Sequence, residues 1–155
     1  MSVQPGFFDL YERYRALSKS GDPLERLSAV VDFEMFRPEL DATLSRADRA
    51  QGGRPLMDVV MMFKVLAIQA LYGLADIRTG FQIRDRLSFM RFPGLDLHGR
   101  VPDARTIWLF CERLTGAGAV DRLFARFDAH LKGAGCRATG GRRSRGPSWP
   151  RPASA

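Results

Sequence analysis

Residues 54–114 read RPLMDVVMMFKVLAIQALYGLADIRTGFQIRDRLSFMRFPGLDLHGRVPDARTIWLFCERL, and their spacing decides the fold. The first part is a buried helix. Leu56, Val59, Val60, Phe63, Leu66, Ala67, Ala70 and Leu71 recur at intervals of three and four and make one wide apolar face. Pro55 suits the first helical position, Asp58 favours the positive end of the helix dipole, and Gly73 supplies the stop. A short connection, Leu74-Ala75-Asp76, leads to a second amphipathic segment from Ile77, which Phe81, Arg84, Arg86 and Leu87 continue and Pro93-Gly94 ends. After a Gly/Pro-bearing loop a third helix opens at Pro102-Asp103, with Ile107, Phe110, Cys111 and Leu114 on its inner face. Three helices with a polar, arginine-bearing third member match the pattern of a helix-turn-helix reader of DNA.

Outward from this stretch the chain stays helical. Phe7, Leu10, Tyr11, Tyr14 and Leu17 have helical spacing, and packing on the main core accounts for them. Asp22-Pro23-Leu24-Glu25 is a helix start, with Asp at the cap, Pro at the first position and Glu placed to reach back. Leu24, Leu27, Val30 and Val31 face inward, and the run from Asp32 to Pro38 is a second start or a bent continuation, with Phe33 and Phe36 as anchors. From Ser45 to Arg54 the text turns polar and glycine-bearing, which reads as a mobile surface loop. Beyond the central stretch, Val120, Leu123, Phe124, Phe127 and Leu131 line one face of a last helix that stops at Lys132-Gly133. The expectation is an all-α fold, a helical bundle holding a helix-turn-helix-like trihelical unit. Its helices lie near 7–17, 23–36, 56–72, 77–90, 104–115 and 119–132. Residues 1–53 form an N-terminal helical layer, 54–135 the DNA-binding unit with its packing helix, and 136–155 a disordered basic tail.

Composition narrows the function. A hydrophobic share of 45% and a charged share of 26% are those of a globular chain, and 155 residues suffice for one core. Lys64 and Gln69 interrupt the best apolar run, so no membrane span is expected, and the N-terminus shows no basic-then-apolar leader. Cys111 and Cys136 lack CxxC spacing and read as free thiols of a reducing cytoplasm, the compartment of the nucleoid. Five of the seven net positive charges sit in residues 136–155, where five arginines meet no acid. The high isoelectric point therefore says little about the folded part, because phosphate binding needs a local basic face. His98 and His130 stand alone, so no metal site is expected. No phosphate loop, nucleophile elbow or Ser/His/Asp arrangement occurs either, so catalytic residues and cofactors are both expected to be none.

What remains is DNA contact. Arg78, Gln82, Arg84 and Arg86 on the second helix can hold phosphates beside a groove; as readily, they form a solvated face partly paired by Asp85. With Asp103 as cap, Arg105, Thr106 and Leu109 fall on the first turns of the third helix, where base contacts belong, and Arg113 lies one turn on. Arg105 suits a guanine edge or a phosphate, and Thr106 a phosphate or a thymine methyl. Trp108 suits a core or subunit interface more than base stacking. The connection from Phe92 to Val101 is far longer than the usual turn of the motif, which makes the unit a variant.

The ordered series Tyr72-Gly73-Leu74, then Arg86-Leu87-Ser88-Phe89-Met90-Arg91-Phe92-Pro93-Gly94-Leu95, then Pro102-Asp103 with Thr106-Ile107, Phe110 and Arg113-Leu114, resembles a known domain. It is the N-terminal, InsH-like domain that precedes the catalytic core in bacterial insertion-sequence transposases of the DDE class, in the IS-five group. The resemblance runs from about Phe7 to Gly141. It implies binding of double-stranded DNA at element ends, with strand cleavage and transfer by a Mg²⁺-dependent core. It also implies possible partnership with a second copy or with full-length transposase. After Gly141 the family has Gln, two aliphatic residues and the first catalytic Asp. Here Arg142, Arg143, Ser144 and Arg145 occupy those places. The expectation is a product truncated or frame-shifted before the core and inactive alone, since metal-assisted strand transfer needs a set of carboxylates. Three readings stand open: the upstream product of a programmed frameshift, a stand-alone regulator of transposition, and a non-functional remnant.

Overall fold

The computed structural model describes residues 7–51 and 57–135, and among these helix is the sole regular structure. The helices are α1 (Phe7–Ser20), α2 (Pro23–Val30), α3 (Arg37–Gln51), α4 (Val59–Tyr72), α5 (Asp76–Asp85), α6 (Leu87–Arg91), α7 (Ala104–Gly116) and α8 (Ala119–Gly133). A 3₁₀ turn, Phe33–Phe36, precedes α3. The all-α expectation holds. The basic tail from Cys136 onward, with its five arginines, lies outside the described residues, as do Pro55 and Leu56.

Helix α4 is the axis of the molecule. The expected apolar face was one-sided, but Met62, Val65, Ile68 and Gln69 are buried along with Val59, Val60, Phe63, Leu66 and Ala67. A helix apolar all round belongs at the centre of a bundle, not on its surface. Asp58 is its cap rather than a residue of its first turn, accepting a hydrogen bond from Met61 N at 3.0 Å. At the other end Gly73 adopts φ 62°, which a β-carbon resists, and Leu74 N–H returns to Gln69 O at 3.0 Å. Leu71 and Tyr72, the last residues of the helix, emerge into solvent. The chain then turns through 102° between α4 and α5.

Two boundaries differ from the sequence expectation, both for identifiable reasons. The second helix does not run to Phe36: it stops at Val30, and Asp32 caps the 3₁₀ turn instead, accepting from Glu34 N. Of the two readings of the Asp32–Pro38 run, the structure has the second start: Pro38 sits in the first turn of α3, where its missing N–H has no partner to lose. From there α3 continues to Gln51, through most of the stretch expected to be a loop. Ala, Leu, Arg and Gln are strong helix formers; Leu40 and Leu44 bury one side of the first turns, while the sequence of the later turns is polar and gives no apolar spacing to follow. The segment expected at 77–90 is two helices, broken at Arg86, whose φ −112° and ψ 120° are extended. No glycine or proline marks the break. Tertiary bonds set it: Ser88 and Arg91 of α6 reach back to Asp22.

One core runs through both sides of the polar 45–56 stretch, from Leu24 on α2 to Phe127 on α8. Phe33 is its hub, with ring centroids 6.2 Å from Phe36 and Phe63, 5.4 Å from Phe92 and 5.7 Å from Phe127. Each such ring buried in full is worth about 1.5–3 kcal/mol of transfer free energy. Lys64 of α4 lays its ammonium 5.5 and 5.6 Å from the Phe33 and Phe92 rings, so it caps the core without an acid.

Three carboxylate–arginine clasps tie the helices. Asp22 is buried; burial raises its carboxyl pKa, but bonds from Ser88 Oγ (2.7 Å), Arg91 (2.6 Å) and Leu24 N (3.0 Å) more than reverse that, leaving it lowered. Arg91 also bonds Glu25, Tyr14 O and Ser18 Oγ, which fastens α1 and α2 to α6. Glu39 of α3 receives Arg122 at 3.3 Å and Arg126 at 2.6 Å from α8. Arg37 bridges Glu34 and Asp58, and its hydrogen bonds hold both carboxyls below their usual range and its own guanidinium above.

Candidate nucleic-acid interface

Two sets of arginines bear on this surface; Arg13, Arg15 and Arg26 of α1 and α2, likewise exposed, belong to neither. Arg37, Arg91, Arg122 and Arg126 are held by the carboxylates just named. Arg78, Arg84, Arg86, Arg100 and Arg105, all on or between α5 and α7, form no ion pair among the described residues and all are exposed, although Arg100 and Arg105 lie near enough to Asp103 to help lower its carboxyl pKa. An arginine already bonded to an acid has little charge left for phosphate; one facing water alone has its full fork of donors.

Helix α5 presents most of this set. It buries Thr79, Gly80 and Ile83 against its neighbours, and a β-carbon on Gly80 would stand 3.3 Å from Pro102 O, so the chain leading into α7 seats directly on its inner face. The opposite face carries Ile77 at 80% exposure and Phe81 at 65%, with Arg78, Arg84 and Asp85 around them. Asp76, at the start, accepts from Gln69 Nε2 of α4 at 2.5 Å, which fixes the corner between the two helices. Gln82 is half-buried, so it stands at the edge of this face rather than on it. Arg86 lies over the Phe89 ring at 5.1 Å, at the break between α5 and α6.

Helix α7 offers less. Asp103 caps it as expected, accepting from Thr106 N at 2.7 Å, and bonds from the Thr106 backbone and hydroxyl lower its carboxyl pKa. The Thr106 hydroxyl is thereby engaged in the cap. Arg105 is exposed beside it and Trp108 is 48% exposed, whereas Leu109 and Arg113 are half-buried. Glu112, on the outward side, brings an acid to the same surface. Of the eight residues expected to touch DNA, then, Arg78, Arg84, Arg86 and Arg105 are fully presented. Gln82, Thr106, Leu109 and Arg113 are partly withdrawn.

In the sequence, Ile77 and Phe81 served only to trace the second segment, and neither was assigned a face. The signal was Gly80. A glycine inside a helix marks the side where another backbone approaches, and Ile77 and Phe81 stand away from it. Positive charge is not confined to this region: Arg13, Arg15 and Lys19 are exposed on α1, beside an open groove of about 650 Å³ that Arg91 also borders. What distinguishes α5 is its bare apolar pair.

Residues 12–113 match the family described as Transposase domain (DUF772). The chain belongs to that family. The match begins within α1 and ends in α7, so it contains α5, the approach to α7 and all eight residues just placed, while α8 falls outside it. No characterised protein and no solved structure matches the chain. The transposase domain contains no cluster of three or more His, Cys, Asp or Glu fit for a metal among its described residues, and none of its helices is long and apolar enough to cross a membrane.

Proposed function

We propose that this chain is the DNA-binding portion of an insertion-sequence transposase, recognising element ends in double-stranded DNA through the α5–α7 surface. The observation that carries the reading is the sorting of arginines. Arg37, Arg91, Arg122 and Arg126, which tie the bundle together, are bonded to acids, and Arg78, Arg84, Arg86 and Arg105 form no ion pair among the described residues. Counterion release rewards such a local set of bare cations, whatever the net charge of the whole molecule. Arg78, Arg84, Arg86 and Arg105 are the contacts of first rank, with Gln82, Thr106, Leu109 and Arg113 supporting at the edges. The family membership makes duplex DNA the natural ligand of the surface.

Strand cleavage belongs elsewhere in this reading. Arg145 stands where the resemblance places the first catalytic Asp, so the chain binds without cutting, as a partner of full-length transposase or as a regulator that occupies element ends. The experiment is a binding and cleavage assay on the purified chain. Duplexes carrying the element's ends, and scrambled duplexes, are titrated with and without Mg²⁺. Preferential binding of the ends with no nicking is the expected result. Metal-dependent cleavage, or an affinity that is equally poor for all duplexes at low salt, defeats the reading.

A further inference from the structure

We infer that α5, and not α7, is the helix that enters the major groove, with Ile77 and Phe81 forming an apolar ridge that reads thymine methyl groups and Arg78 and Arg84 gripping the phosphate strands on either side. The inference rests on the reading above that the partner is duplex DNA, and it names which element reads sequence.

Three observations converge. The first is the corner. α4 and α5 are joined by Gly73-Leu74-Ala75 and meet at 102°, and a pair of helices at roughly 90–120° across a three- or four-residue, glycine-bearing turn is the geometry of the DNA-reading motif. The motif places the second helix of such a pair in the groove, while the first stays with the body of the protein. Here the first, α4, is the buried axis and the second, α5, is the exposed one. The approach to α7 has no such form, because residues 92–103 separate it from α6.

The second observation is exposure. Ile77 and Phe81 lie one turn apart and are 80% and 65% exposed, which leaves them without a use inside this bundle. At about 1.5 Å per residue α5 is about 15 Å long, and a helix of ordinary width fits a major groove about 12 Å across. Apolar side chains on its exposed face, in its first two turns, meet the methyl of thymine, the one apolar group that a base edge presents there.

The third is the placing of charge. At 100° per residue Arg78 and Arg84 fall on opposite sides of the Ile77–Phe81 ridge, each beside a bordering phosphate strand when the ridge is in the groove. Neither meets a carboxylate among the described residues. Of the acids of α5, Asp76 is held by Gln69, whereas Asp85, in the last position, is exposed on the Arg78 side of the ridge, two turns along from that arginine. A second copy of the chain is the competing occupant. A stable interface takes about 800 Å² from each partner, far more than two side chains supply, and two such ridges would bring four bare arginines together.

The test is selection of bound sequences from a randomised duplex pool by the full chain, followed by affinity and salt titrations on the selected duplex. Wild type, Ile77→Ala, Phe81→Ala, Arg84→Gln and Arg105→Gln are compared. Circular dichroism and sedimentation on each variant confirm an unchanged fold and association state. Ile77→Ala and Phe81→Ala are expected to lower preference for the selected duplex over a scrambled one by roughly tenfold each, through A·T positions, with the salt slope unchanged. Arg84→Gln is expected to weaken both duplexes alike and reduce the slope. If Arg105→Gln alters the selected sequence while Ile77→Ala and Phe81→Ala do not, α7 is the reader: the inference falls and the DNA-binding reading survives. If the wild type selects nothing and binds no duplex, that reading fails first. If Phe81→Ala turns a wild-type dimer into a monomer, the ridge is a self-interface and the inference is overturned.

Discussion

On the proposed function, pairing rather than net charge decides which arginines bind phosphate, and a matched pair of substitutions isolates that difference. Arg84→Gln and Arg126→Gln each remove one positive charge. Arg84 faces water with no acid, whereas Arg126 is bonded to Glu39 at 2.6 Å. Each phosphate contact steepens the dependence of log K on log salt by about 0.9 for duplex DNA. If Arg78, Arg84, Arg86, Arg100 and Arg105 all engage, they contribute a slope of about −4.5, so affinity falls roughly 500-fold between 50 and 200 mM salt. Removing Arg84 leaves a slope of about −3.6 from this surface and a fall of roughly 150-fold over the same range. Removing Arg126 is expected to leave the slope where it was. The arginines of 136–155 add the same constant to every variant, so the differences between slopes remain interpretable. The assay is fluorescence anisotropy on one duplex at five or six salt concentrations. Equal changes in slope for the two variants would refute the reasoning, because they would show that net charge alone governs binding.

Two further outcomes concern the scaffold. Arg91→Met strips the buried Asp22 carboxylate of its cation and is expected to destabilise the chain by about 2–4 kcal/mol in urea titration, somewhat under a fully buried pair because Arg91 is 24% exposed. Pairing it with Asp22→Asn should recover part of that loss, and a single-variant cost below about 0.5 kcal/mol would mean that the clasp does not hold α1, α2 and α6 together. Acid is expected to unfold the protein from the carboxylate side. Asp22, Glu34, Asp58 and Asp103 all have folded pKa values lowered below their unfolded ones, so the unfolded chain binds more protons as pH falls. Their contribution is present in full above about pH 5 and is lost as pH drops through 4 and below, which a series of melting temperatures from pH 7 to pH 3 will read; a rise in melting temperature on acidification contradicts the assignment.

The helices with an apolar stripe and a chemical terminus were legible in the sequence. Asp22-Pro23, Asp103 and Gly73 each act as the cap or stop that their chemistry dictates, and α7 buries Ile107, Phe110, Cys111 and Leu114 as spaced. Helix α3 was not read, although Leu40 and Leu44 follow Phe36 at four-residue spacing, because its later turns are polar in sequence and its proline stands in a position that either ends or begins a helix. The break at Arg86 was hidden for a different reason: its cause, the Asp22 carboxylate, is distant in sequence. The candidate site was half legible. Residue type picked out Arg78, Arg84, Arg86 and Arg105, but type alone gives no sign of which arginines find an acid in space. Nor could periodicity tell that Ile77 and Phe81 point outward, since an apolar residue is assigned to the core until the helix is seen from all sides.

The all-round burial of α4 governs how the molecule opens. Its amides sit beneath both the N-terminal helices and α5, α7 and α8, so no partial opening of one layer exposes them to solvent. Exchange of those amides with deuterium therefore requires the whole bundle to come apart, and their protection reports the global stability. Helix α1, whose described side chains include none that is buried, exchanges by local fraying. Helix α5, hinged on the slowest-exchanging segment, inherits its rigidity, so the angle that the proposed DNA-reading helix presents to a groove is set before any duplex arrives.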